Sequence, residues 1–275
     1  MARRKVISSF LERQREIETI WHVTEGPGHA SRIVGGLPEG VLAVAVGGDG
    51  TVHEVAAACV GTDRAMGVLP VGSGNCYVKA LGVGTNLGRA LEILVKGKTR
   101  LVDAGEVNGV PFNDGLGIGF DAEVAARVAR APKYLGGFGR YLWSVLQLLP
   151  GFQCREVTLK LDGRDLVESK TILVAVALGT TYGGRFKLAP NSRLDDGLFD
   201  VVWSEELGRA EAATLIPAVL RGSHLKYPKI HVAQAREVEV GFMEETPAHV
   251  EGEMLAPSRT FRAKVLPVAL RVVAP

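Results

Sequence analysis

The stretch VAVGGDGTVHE, residues 44–54, constrains the fold of this chain more than any other. An apolar run that reads as a buried strand stops at Gly47 and Gly48, and a helical pattern begins just past Asp49 and Gly50. A strand that turns this sharply into a helix belongs to an α/β layer, where helices join parallel strands. The same junction has a chemical use. Glycines let the backbone approach an anion closely, and the unpaired N–H groups of a helix's first turn point at it. Taken alone, the motif fits a structural turn and a phosphate cradle equally well. Asp49 would repel a phosphate unless magnesium or a network of donors stood between them.

The logic recurs at residues 69–83, LPVGSGNCYVKALGV, where Ser73 and Asn75 offer hydrogen-bonding groups at a helix entry. Two strand-to-helix glycine turns from successive parallel strands would lie side by side at the carboxyl edge of a sheet, where ligands bind in such folds. The surrounding pattern alternates. Residues 5–16 read as a helix, IETIWHV (17–23) as a strand, GHASRIVGGL as a short helix, VLAVAV and MGVLPV as buried strands, and TVHEVAAACV and NLGRALEILVKG as helices, the last closed by Gly97. From about Thr99 the signals become short and β-rich, with Asn108-Gly109 and Asp162-Gly163 as hairpin turns and two helical stretches inside 121–149. The expected architecture is an α/β domain with a mostly parallel sheet over residues 1–103, then a β-sandwich-like domain over 104–259. The tail 260–275 is expected to return to the first domain.

Composition narrows the functional classes. The formal charge is +2 over 275 residues, and the basic residues are scattered rather than clustered with aromatics, so nucleic acid is not an expected partner. Cys59, Cys76 and Cys154 are too few and too far apart for a disulfide framework and suit a reducing, cytoplasmic setting. The basic N-terminus lacks the apolar core of a signal peptide, and no apolar run approaches the ~20 residues of a spanning helix, so membrane contact is expected only at the periphery.

Two further motifs carry chemistry only in combination. GGRFKLAPNSRLDDGLFDVVW (183–203) gathers Asp195, Asp196 and Asp200 near a glycine, which suits a hairpin turn or a hard-cation site. AHVEGEMLAP (248–257) sets Glu251 and Glu253 around Gly252, which suits surface glutamates or a general base.

The order GGDGT, LP-x-G-[ST]-x-N, FNDGLGIGFDAEV, GG-x4-AP-x4-DDG-L-x-D-V and a final [DE]-G-E resembles the diacylglycerol kinase catalytic family, which includes sphingosine kinases and bacterial lipid kinases. The similarity runs from about Thr24 to the C-terminus. It implies two domains with ATP and Mg2+ between them, and a lipid hydroxyl at a membrane surface as acceptor. By that pattern Thr24, Gly47, Gly48, Asp49, Gly50, Thr51, Val52, His53, Ser73 and Glu253 would meet the nucleotide. Glu251 would be the catalytic base, with Asp49 in a magnesium and water network. Arg193, Asp196 and Leu198 would hold a structural metal, and a homodimer is implied by relatives that pair.

The chain departs from the pattern in four places. Relatives open with a strand ending in Asn-Pro-x-x-Gly, whereas this chain starts inside the following helix. Either the strand and part of the ATP site are absent, or they are encoded upstream of Met1. Glu251 stands where aspartate is usual, Cys76 where bacterial members carry aspartate, and His53 where asparagine is common. His53 fits a nucleotide contact or a place in the helix's first turn. Arg185 and Lys187 fit phosphate partners or solvated loop charges, and the apolar faces of FGRYLWSVLQLLPGF and LIPAVLRGSHLKYP fit a lipid entrance or core packing. A non-catalytic lipid- or nucleotide-binding protein and an NAD-kinase-like enzyme for a small substrate are the alternatives at this level.

Overall fold

The structure is a computed structural model and describes residues 2–14 and 16–275. Its first part runs α1 (Ala2–Leu11), α2 (His29–Gly35), β1 (Ala43–Gly47), α3 (Asp49–Cys59), β2 (Ala65–Pro70), α4 (Cys76–Ala80) and α5 (Leu87–Lys96). Strand β1 pairs parallel to β2 from Ala43↔Met66 to Gly47↔Pro70, so both glycine turns leave the sheet at the same edge. Helix α5 keeps the side-chain cap of Asn86 on the Arg89 N–H and ends at Gly97 with φ 64°, the left-handed stop that its sequence announced.

The segment 17–23 forms no strand, contrary to expectation. It pairs with no neighbour, and Ile20 and Val23 stay open to solvent at 76% and 69%. An apolar alternation becomes a strand only where a sheet edge accepts its backbone. Here Trp21 instead stacks under the Arg4 guanidinium.

The second part contains β3 (Thr99–Val107), β4 (Val110–Phe112), β5 (Gly115–Gly119), α6 (Phe120–Val128), α7 (Gly136–Leu148), β6 (Arg155–Leu161), β7 (Arg164–Thr171), β8 (Leu173–Ala177) and β9 (Phe199–Ser204). It continues with α8 (Arg209–Arg221), β10 (Ile230–Ala235), β11 (Glu237–Thr246), β12 (Ala248–Val250), β13 (Glu253–Met254) and β14 (Ser258–Val273). Both dipeptide turns expected from sequence close hairpins, β3–β4 and β6–β7.

Among the described residues the strands form two sheets. One has eight strands and is mixed, and the other has six in the order β10-β9-β8-β5-β12-β13 and is antiparallel. The long β14 runs through the larger sheet. Its first half pairs antiparallel with β11, its second half reaches β2 in parallel at Arg271↔Ala65, and β3 lies along its other side. The parallel strands are thus β1, β2 and the end of β14. One continuous apolar core joins β1–β3, α3 and α5 to the sandwich strands, including Met66, Leu69, Phe112, Phe199 and Phe261.

Candidate active site

The two glycine turns touch through their backbones. A Cβ placed on Gly72 would sit 2.3 Å from Gly48 Cα, so this crossing leaves room for hydrogen alone. Asn75, at φ 52°, holds its turn by accepting from Gly72 N–H and donating to Gly72 C=O. Asp49 closes the pair: its Oδ1 accepts the Cys76 N–H at 2.7 Å, and its Oδ2 lies where a Cβ on Gly74 would be. Burial raises the Asp49 carboxyl above its ordinary value, opposed by the N–H groups of Cys76 and Asn75 and by Lys79. Asp49 is thus a brace between loops as well as a candidate for the nucleotide side.

Lys79 ties this wall to the second part by donating to the carbonyls of Gly74 and Gly184, while Gly184 N–H donates to Cys76 Sγ. Cys76 therefore has a structural partner, and its thiol is pushed well up by burial and by Asp114 and Asp49. Ser73 lies against Gly137 at the start of α7. Thr24 is exposed in the irregular segment before α2. That region is tethered by Glu54, a residue the motif reading passed over, whose carboxylate accepts from Gly28 N–H and Ala30 N–H.

The opposite wall is the two-residue hairpin β12–β13. Glu251 has φ 50° and Gly252 φ 91°, while Val250 pairs with Glu253 across them. Both central residues at positive φ define a turn that favours Asn-Gly or Asp-Gly. Glutamate there costs roughly 1–2 kcal/mol of backbone strain, which is the kind of strain that gathers at functional sites. The turn aims the Glu251 side chain inward, where it is 2% exposed. Its Oε1 accepts three backbone N–H groups, from Asn113, Asp114 and Gly115, at 3.0, 2.7 and 3.0 Å. Its Oε2 lies 2.5 Å from His53 Nδ1 on α3. Glu253 sits over the start of the same helix, its Oε1 2.8 Å from where a Gly50 Cβ would be.

His53 therefore does more than line its helix. Burial alone would lower its pKa, but the close contact and charge of Glu251, with the charges of Glu253 and Glu54, raise it above the ordinary histidine value. Asp114 lies behind this pair with Oδ1 unpartnered, and burial together with Glu251 and Asp49 pushes it well up.

A second polar chain supports the hairpin from below. His249 Nδ1 accepts the Gly252 N–H at 2.9 Å, so its other nitrogen carries the proton and donates to Asp121 Oδ2 at 2.9 Å. Asp121 Oδ1 accepts the Tyr141 hydroxyl from α7. Tyr141 and Asp121 in turn border a cavity of about 120 Å³ lined almost wholly by apolar side chains, among them Val145, Leu149, Ala212, Leu215 and Ile216. Helices α7 and α8, the two apolar stripes of the sequence, line this cavity together.

The acidic loop does a structural task. Asp103, 1% exposed, accepts from Gly197 N–H and from Val268 N–H, tying the loop to β3 and β14. Asp195 pairs with Arg193 and Arg100, and Asp196 Oδ1 accepts Leu198 N–H. Among the described residues no three His, Cys, Asp or Glu side chains converge to hold a metal ion. The carbonyls of Arg193 and Leu198 with Asp196 offer the oxygen donors a hard cation takes, but with one carboxylate only. Arg185 stacks on Phe138, and both it and Lys187 are exposed.

Comparison with known proteins decides the family. Residues 3–107 match the diacylglycerol kinase catalytic domain, and residues 115–274 match the YegS C-terminal NAD kinase beta sandwich-like domain. The chain is 32% identical over 245 residues to the diacylglycerol kinase of Bacillus subtilis (strain 168), covering 87% of this chain and 80% of that one. The chain belongs to the diacylglycerol kinase family. It is 28% identical over 265 residues to the diacylglycerol kinase of Mycobacterium tuberculosis, covering 92% and 84% of the two chains. A solved structure of a diacylglycerol kinase from Bacillus anthracis str. Sterne shares the fold at a TM-score of 0.71 and 21% identity, over 92% of this chain and 83% of that one. An NAD kinase from Archaeoglobus fulgidus, solved with ATP, shares it at 0.54 and 14%, over 98% and 88%. The chain is thus a member of a kinase family, with the α/β and β-sandwich-like architecture expected from its motifs.

Proposed function

We propose that this protein transfers the γ-phosphate of ATP to the hydroxyl of a long-chain lipid, such as a diacylglycerol, at a membrane surface. One observation carries the reading. The Glu251 hairpin faces the glycine turns on one side and, through Gly252, His249, Asp121 and Tyr141, adjoins an apolar cavity on the other. A nucleotide on the glycine turns and a lipid chain in the cavity would meet at this hairpin. The N–H groups at the start of α3, with Thr51, Val52 and Ser73 nearby, suit the phosphates. Positioning and charge neutralisation supply most of the catalysis in phosphoryl transfer.

Magnesium would arrive with the nucleotide, since it is commonly held by one or two carboxylates together with phosphates. Asp49, at the glycine turns, is the carboxylate that fits, while Asp196 with the carbonyls of Arg193 and Leu198 would serve a separate structural metal in the loop that braces β3 and β14. An NAD-kinase-like reading fits less well, because the cavity offers a second nucleotide little beyond Asp121, Tyr141, Ser204 and His224 as polar groups. No helix among the described residues is long and apolar enough to cross a membrane, so the proposed membrane contact is peripheral.

Purified protein and a Glu251→Gln variant, given Mg-ATP and a panel of lipids in mixed micelles, test the reading. The expected result is a phosphorylated lipid with the native protein and a loss on the order of 10³-fold in kcat with the variant. Equal transfer by both proteins would remove Glu251 from the chemistry, and no transfer to any lipid by the native protein would overturn the reading.

A further inference from the structure

The Glu251 carboxylate is poorly placed to take a proton directly. Its Oε1 already accepts three backbone N–H groups, which leaves no lone pair for a fourth partner. Its Oε2 faces His53 Nδ1 at 2.5 Å as an ion-pair contact off the line of a hydrogen bond, and neither atom has a hydrogen-bond partner. The imidazole keeps 12% of its side-chain surface accessible while Nδ1 is buried, so Nε2 is the nitrogen left to the cleft. No hydrogen bond engages Nε2 among the described residues. Two of the three residues that depart from the resembled pattern, Glu251 for aspartate and His53 for asparagine, thus meet each other.

We propose that His53 Nε2 takes the proton from the lipid hydroxyl, and that Glu251 orients the imidazole and balances the charge it gains. This rests on the lipid kinase reading. A carboxylate in contact with Nδ1 favours the tautomer that carries its proton there and leaves Nε2 as the free base, and its charge stabilises the imidazolium formed. In the step itself the hydroxyl O–H bond breaks and its proton passes to Nε2. The oxygen's electron pair forms the new bond to the γ-phosphorus, and the bond from that phosphorus to the bridging oxygen breaks with its pair leaving on ADP. The charged groups facing the ring are Glu251 and Glu253 from the β12–β13 hairpin and Glu54 from α3 itself. All three favour the imidazolium, which moves the base toward a working pH near neutrality.

The test is the pH dependence of kcat/KM toward a diacylglycerol in mixed micelles, for the native protein, His53→Asn and His53→Ala. The native rate should rise with pH along a limb centred above the ordinary histidine value near 6.5. His53→Asn should lose that limb and about 10²-fold in kcat, with KM for ATP changed less than about threefold. Added imidazole should restore part of the His53→Ala rate, which a merely structural role would not allow. Retention of the limb and of near-native kcat in His53→Asn would overturn the proposal and leave Glu251 as the direct base. A native rate that falls with pH along the same limb, with KM for ATP raised in the variants, would also overturn it and make His53 a phosphate contact. Absence of transfer to any lipid by the folded native protein would refute the lipid reading itself, and the dyad with it.

Discussion

The two regions that the proposed reaction would join are built from different materials. The cleft is made of backbone: Gly48 against Gly72, the Cys76 N–H on Asp49, and three N–H groups of residues 113–115 on one oxygen of Glu251. The cavity is made of side chains on α6, α7, α8 and the strands beneath them. Backbone cannot change rotamer, so the cleft has one geometry and suits a phosphate, whose shape is constant. Side chains can repack, so the cavity tolerates variation and suits a lipid tail, whose length varies.

Changes that add volume separate the two regions, and the largest effect is expected in the cleft. Gly72→Ala drives a methyl group into the Gly48 backbone. It should cost about 1–3 kcal/mol of stability, measured by urea titration, and should weaken ATP binding. Near-native stability and affinity would show that the crossing can open. Ala212→Phe places a ring in the cavity, where Ala212 is 7% exposed, and should cost less stability than Gly72→Ala because the ring enters open space lined by side chains that can repack. Excluding two methylenes of a lipid chain at about 0.8 kcal/mol each should raise KM for a long-chain lipid on the order of tenfold and leave KM for ATP unchanged. An equal rise for a short-chain lipid would place the tail elsewhere.

The smallest effect concerns the outer end of α8. Glu211 accepts from Gly208 N–H, Lys229 and Tyr227, and these partners, Lys229 foremost, lower its pKa to about 2. A lowered carboxyl stabilises the fold above its unfolded value, near 4.5, and that contribution fades as pH falls through about 2. Glu211→Ala should therefore melt slightly earlier than native protein near neutrality, and the difference should shrink toward pH 2. A difference that persisted in acid would assign the effect to packing.

Much of the cleft was legible in sequence because its parts are local. Gly-Gly-Asp-Gly and Gly-Ser-Gly-Asn mark strand-to-helix turns by composition alone, and Asn108-Gly109 and Asp162-Gly163 mark hairpins. What joins the parts is not local. The contact of His53 with Glu251, and the chain from Tyr141 through Asp121 to His249, link residues far apart in sequence, and no periodicity reports them. The histidine in AHVEGE stood two residues before the candidate base and was the one available signal. The segment 17–23 alternates as a strand would, but among the described residues no sheet edge accepts its backbone. Helix α8 carries Pro217 in its interior, which masks the helical pattern. Strand β14 reads as a tail, yet it joins β2, β3 and β11 into one sheet.

In the proposed reaction a backbone-built phosphate cleft and a side-chain-built lipid cavity serve one transfer. Competition for labelled phosphate tests it most directly: native protein, Mg-ATP carrying a labelled γ-phosphate, and long-chain diacylglycerol and NAD present together. Label is expected in the lipid, with little in the dinucleotide, and the lipid product should be lost when a short-chain analogue replaces the long-chain one at equal concentration. Label in the dinucleotide with none in the lipid would contradict it.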